Sequence, residues 1–176
     1  HPLEAGAELH SGAHVAVTLP DHDHPRAAAL AGLPVQPIAV PDAAEGMSAS
    51  LRRGIGMLPR GMKAAMILPA DMPELTAEDL ITVIEGFTAL PFPMLQQGCA
   101  ADGTPGHPVL FPADCFAAML QLTGDQGARD ILRANKHRRT RTGDRLGTRE
   151  PLRRRRPGLQ DGPALFHQPW LGLPLF

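Results

Sequence analysis

The sequence predicts an α/β domain with a mostly parallel sheet. Three observations predict it. Short apolar runs of strand length, at residues 14–19, 35–40 and 64–69, alternate with stretches of helical character. One of those stretches carries Leu80, Val83, Ile84 and Phe87 at helical spacing. The chain has 176 residues, 43% hydrophobic and 20% charged, which suffices for one domain with a real core.

The elements follow in order. Residues 3–9 read as the end of a helix, and Gly12 as its stop signal. Residues 14–19 form a buried strand closed by Pro20. After the polar loop 21–24, Pro25 opens a short alanine-rich helix that ends near Gly32. Residues 35–40 form a second strand, placed near a sheet edge because Pro37 lacks a ladder donor. A loop at residues 45–50 feeds a helix that reaches about Leu58. The third strand spans 64–69. Thr76 is an N-cap, with Asp79 three residues on as an imperfect capping box. Strands are expected at 94–99 and 109–111, and helices at 114–122 and 128–134. After Asn135 the apolar periodicity stops and no element is assigned.

Charge divides the chain unevenly. Residues 1–135 hold seven Lys/Arg against fifteen Asp/Glu, whereas residues 136–156 hold ten against two. The division predicted is a domain over 1–135 and an irregular Arg/Pro-rich tail over 136–176. The tail lacks aromatic interleaving and any recognisable binding module, so nucleic acid is not the expected partner. No apolar stretch approaches the roughly 18 residues that span a bilayer. Cys99 and Cys115 are far apart, without metal-ligand spacing, and are read as plain thiols in a reducing cytoplasm.

Three stretches carry chemistry. In "MILPADMPELT", Asp71 falls where a strand ends, the rim at which open α/β sheets gather ligands. A carboxylate there can hold Mg²⁺, and it can equally cap or bend the turn. In "EGMSASLRRGI", Gly46, Met47, Ser48 and Ser50 join a flexible glycine, two hydroxyls and a helix start, whose N–H groups favour anions. Simple N-capping by Ser48 or Ser50 explains the same pattern. In "GTPGHPVLFP", a turn runs into a strand, and His107 either bonds a ligand or stabilises the turn.

Together with "LTGDQGARDIL", these stretches resemble the MobA-like nucleotidyltransferases of molybdenum cofactor biosynthesis, nearest to the cytidylyltransferase branch. The resemblance covers residues 15–132. It implies a three-layer α/β/α Rossmann-like domain that moves a nucleoside monophosphate from CTP, or less readily GTP, to a molybdopterin-type phosphate, releasing pyrophosphate. It makes Asp71 the catalytic residue and Mg²⁺ ligand. It places Gly46, Met47, Ser48 and Ser50 along the nucleotide. It gives Gly106, His107, Pro108, Asp125 and Arg129 to the second substrate. A cytoplasmic location and a molybdoenzyme or cofactor-chaperone partner go with that chemistry.

Two features depart from the family. Nothing matches its opening strand and LAAGxSxRMGxxK-type loop, so the sheet is expected to lack its first strand. The acidic closing stretch is replaced by arginines and prolines from Lys136 onward. The alternative these departures raise is a non-catalytic nucleotide-binding remnant or interaction module.

Overall fold

The structure, a computed structural model, describes residues 14–72, 75–100, 102–125 and 127–142. Six strands and four α-helices are found among them. They are β1 Ala16–Leu19, β2 Gln36–Ala39, α1 Met47–Gly56, β3 Ala64–Ile67, α2 Ala77–Thr88, β4 Leu95–Cys99, β5 Pro105–Pro112, α3 Phe116–Met119, α4 Arg129–Ala134 and β6 Arg139–Arg141. The α/β class expected from the sequence is the one observed.

The pairing is mixed rather than mostly parallel. β1 and β2 pair in parallel as a two-stranded unit. A second sheet has the order β3-β5-β4-β6, in which β5 is antiparallel to both its neighbours and β4 runs parallel to β6. Sequence pattern alone missed this because parallel and buried antiparallel strands both read as continuous apolar runs. Among the described residues β1 and β3 share no ladder. Side chains join them instead, with Val15, Val17 and Leu19 in one cluster with Ala64, Met66 and Leu68.

Strand alternation sends neighbouring residues to opposite faces. Ala64 and Met66 of β3 and Leu110 of β5 pack with Leu80, Val83 and Ile84 of α2. Ala65, Ile67, Val109 and Phe111 pack on the other side with Leu51 and Ile55 of α1, Met119 of α3 and Ile131 of α4. These two clusters produce the layered arrangement, with all four residues of β3 buried.

Local signals explain the element ends. Thr76 and Asp79 complete a capping box: the Thr76 hydroxyl accepts from the Asp79 N–H, and the Asp79 carboxylate accepts from the Thr76 N–H at 2.9 Å. Pro25 opens a helix as expected, but Pro25–Leu30 is a 3₁₀ helix. Among the described residues β2 pairs only with β1, an edge position that suits Pro37.

The expectation of no regular structure after Asn135 fails at β6. Arg139–Arg141 pairs with Leu95–Gln97, and the Thr142 hydroxyl donates to the Gln97 carbonyl at 3.1 Å. β6 escaped notice because its side chains are only half-buried and two of its three residues are arginine. The helix end at 3–9, Gly12, Pro73 and the tail from residue 143, with its Arg153–Arg156 run, lie outside the described residues.

Candidate active site

The site grows from the end of β3. Asp71 is exposed in the turn that follows this strand, as the sequence placed it. Across the sheet, β5 carries Gly106, His107 and Pro108, the last two joined by a cis peptide bond. The ring Nδ1 of His107 lies 3.4 Å from the Ile67 carbonyl. A carbonyl only accepts, so Nδ1–H is the donor and the ring is oriented by the last residue of β3. Burial holds the His107 pKa below the ordinary histidine range. The bond to Ile67 and the negative charge of Asp71 oppose that shift without cancelling it. Asp71 and His107, thirty-six residues apart, thus share one electrostatic neighbourhood.

His107 lines a cavity of about 560 Å³. Leu51, Ile67, Val109, Phe111 and Leu132 supply apolar wall. Gly106, Asp125 and Arg129 also line it, so three further residues assigned to the second substrate meet there. Pro108 is fully buried beside them and contributes to the core. Asp71 is not among the lining residues; its charge acts on His107, which is.

The helix start at 46–50 is built differently from expectation. Gly46 has φ 102° and ψ −166°, a backbone region open essentially to glycine alone. A Cβ there would collide with the Asp125 carboxylate. The Met47 N–H donates to Asp125 Oδ1 at 3.3 Å, and the Ser48 N–H donates to the Gly124 carbonyl at 3.3 Å. Two N–H groups read from the sequence as open to a ligand are therefore capped by the 124–125 loop. Ser48 is 0% exposed; its hydroxyl makes no cap bond and accepts from Arg52 Nη1 at 3.5 Å. Met47 is exposed and lines the cavity, while Ser50 is half-buried.

Sequence reasoning missed several residues. Arg52 of α1 donates to Asp42 at 2.9 Å, Glu45 at 2.6 Å and the Leu122 carbonyl at 2.7 Å, tying the helix start to two loops. Its pKa is raised, first by the bond to Glu45. The RR pair in "SLRRGI" was its only signal. Gln97, Arg133, Lys136 and Arg139 also line the cavity. The last two belong to the stretch read as tail, although β6 brings Arg139 alongside β4.

Among the described residues no three His, Cys, Asp or Glu side chains form a metal-binding group. Mg²⁺ does not need one, because it is commonly held by one or two carboxylates plus substrate phosphates and water. An exposed hard-oxygen donor such as Asp71 fits that mode. Both cysteines are buried, and burial pushes the Cys115 thiol up to about 11, so it is protonated and unreactive at neutral pH. Among the described residues no helix is long and apolar enough to cross a membrane.

An α/β domain with a cavity beside a strand end has the architecture in which open sheets gather ligands, and comparison with known proteins gives the class. Residues 3–140 match the MobA-like NTP transferase domain, and the chain belongs to that family. Its fold is similar to that of Rv0371c from Mycobacterium tuberculosis H37Rv, with TM-score 0.59 and 20% identity over 79% of this chain and 71% of that one. The manganese complex of Rv0371c gives TM-score 0.63 and 22% identity over 79% and 73% of the two chains. A homolog from mycobacterium sp. strain JC1 gives 0.59 and 22% over 78% and 70%. No curated protein matches the chain.

Proposed function

We propose that the chain transfers a nucleoside monophosphate from an NTP to the phosphate of a molybdopterin-type acceptor and releases pyrophosphate. CTP is the preferred donor, a choice supported by the resemblance of the "GMSASL" stretch to the cytidylyltransferase branch. The observation that carries the reading is the cavity beside the end of β3, which His107 lines together with Arg129, Arg133, Lys136 and Arg139.

Nucleotidyl transfer asks for in-line positioning and charge neutralisation more than for a strong acid or base. An acceptor phosphate oxygen forms a bond to the α-phosphorus as the bond to the pyrophosphate oxygen breaks. Asp71 would hold Mg²⁺, which supplies positive charge to the phosphate oxygens when bound. The manganese complex of the structural neighbour supports a divalent ion in this role. Gly46, Met47 and Ser50 would lie along the nucleotide, while Gly106, His107 and Arg129 would line the acceptor side. His107, neutral at physiological pH, leaves Nε2 as a hydrogen-bond acceptor. Asp125 acts through position, since its carboxylate fixes the start of α1. Cytoplasmic location and a molybdoenzyme or cofactor-chaperone partner belong to the same proposal.

Pyrophosphate release from CTP and from GTP, with Mg²⁺ and molybdopterin, tests it. Release that depends on both substrates and falls at least a hundredfold in Asp71→Asn supports the transferase. Nucleotide binding with no release in any combination supports the non-catalytic module instead.

A further inference from the structure

Among the described residues, one side chain lining the cavity carries a buried polar atom without a hydrogen-bond partner. Gln97 of β4 is 7% exposed, and its Nε2 donates to the Gly106 carbonyl at 3.1 Å. That bond fixes the amide orientation, because a carbonyl can only accept. The other end, Oε1, is buried with no hydrogen-bond partner among the described residues. A buried acceptor without a donor is costly and uncommon in a native structure. Its neighbour behaves differently: Gln96 points to the opposite face, where its Oε1 accepts from the Thr140 hydroxyl and its amide lies against Gly86 of α2. The unmet acceptor is thus specific to the face that carries the cavity.

The rest of the cavity defines what could meet it. Leu51, Val109, Phe111 and Leu132 suit a flat apolar ring. Arg129, Lys136 and Arg139 suit an anionic arm. We infer that Gln97 is the specificity residue of the acceptor pocket, its Oε1 taking a hydrogen bond from a ring N–H of a planar heterocycle whose phosphate arm reaches Arg129 and Lys136. The inference deepens the transferase reading and rests on it for the word acceptor. The oxygen lies beneath the cavity surface and Gln97 itself lines the cavity, so a ligand N–H meets Oε1 by displacing the wall above it while Nε2 keeps the Gly106 carbonyl. Because Oε1 is already withdrawn from water, a matching donor gains the bond without first stripping solvent from it. A ring of equal size without N–H leaves the oxygen unpaired, and sites of that kind discriminate strongly.

Calorimetric titration of the full chain with a pterin monophosphate and with 1-naphthyl phosphate reads this directly. The two are of similar size and charge, and only the first carries ring N–H groups. The native chain should bind the pterin phosphate about tenfold or more tighter, as one well-made hydrogen bond of about 1.4 kcal/mol gives. Gln97→Leu should erase the preference while leaving naphthyl phosphate affinity within about twofold, and Gln97→Met serves if the leucine variant does not fold. Arg129→Ala with Lys136→Ala should weaken both ligands alike and leave their ratio intact. A native chain without preference, or a Gln97 variant that keeps it, overturns the inference. Pyrophosphate release is scored separately. Preference lost in the variant from a native chain that releases none removes the transferase and keeps the pocket assignment. Normal release with an unmoved preference does the reverse.

Discussion

The Asp125 carboxylate caps a helix that begins 78 residues earlier, its Oδ1 accepting the Met47 N–H at 3.3 Å. Gly46 makes this approach achievable, since any side chain at that position would occupy the carboxylate's place. Gly46→Ala should therefore destabilise the fold by about 1–3 kcal/mol from backbone strain alone, and displace the 124–125 loop as well. Asp125→Ala should cost about 0.5–1 kcal/mol, the usual worth of a helix cap, and Asp125→Asn should recover most of it by keeping an acceptor. Urea unfolding of the three variants checks the order. A Gly46→Ala chain as stable as the native one would refute this account of the helix start.

Gly98 of β4 supports the opposite side of the site. A Cβ there would meet the His107 carbonyl oxygen at 2.9 Å, its carbon at 3.0 Å and Pro108 Cδ at 3.1 Å. Backbone atoms give way less readily than a side-chain tip, so Gly98→Ala should push the His107 segment outward. Overpacking of this kind costs about 1–3 kcal/mol. The expected signature is a loss of transfer activity larger than the loss of stability explains, measured at a temperature where the variant remains fully folded. Equal activity per folded molecule would show that the segment tolerates the shift.

Much of the site was legible because its stretches announce themselves locally. Asp71 follows a strand and precedes a helix start, and both ends of that reading hold in the structure. What stayed hidden depends on contacts between distant segments. No local pattern links Asp125 to Met47, or Arg52 to the Leu122 carbonyl. The antiparallel course of β5 was hidden for a related reason, as strand direction is set by connections rather than by composition. β6 was hidden because a short basic strand lacks the apolar alternation that marks a strand in sequence. Gln97 had a faint signal: two adjacent glutamines inside a run of five buried strand residues must each find a use.

The capping box of α2 offers a test away from the cavity. Thr76→Ala removes the hydroxyl that accepts from the Asp79 N–H, and about 1 kcal/mol of stability should go with it. Asp79→Ala should cost a similar amount, because the Thr76 N–H loses its acceptor. Together the two should cost less than their sum, since each change already breaks the shared motif. Strict additivity in a double-mutant cycle would mean that the two bonds act independently. Neither change should alter ligand binding in the cavity.

His107 gives the fold a pH dependence whose sign follows from its surroundings. Burial lowers its pKa below the ordinary 6.5, so the folded chain prefers the neutral ring. The unfolded chain then binds more protons between the two pKa values, and stability rises with pH across that window. The contribution is fully present above about 6.5 and is lost as the pH falls through the folded value. His107→Gln should flatten this part of the stability profile while leaving the rest unchanged. Asp71 enters with the opposite sign, because its carboxylate favours the imidazolium. Asp71→Asn should therefore move the His107 titration, followed by its ring proton resonances, to still lower pH. A titration unmoved by that change would mean that the two groups do not sense one another, and Asp71 would lose its electrostatic link to the cavity that His107 lines.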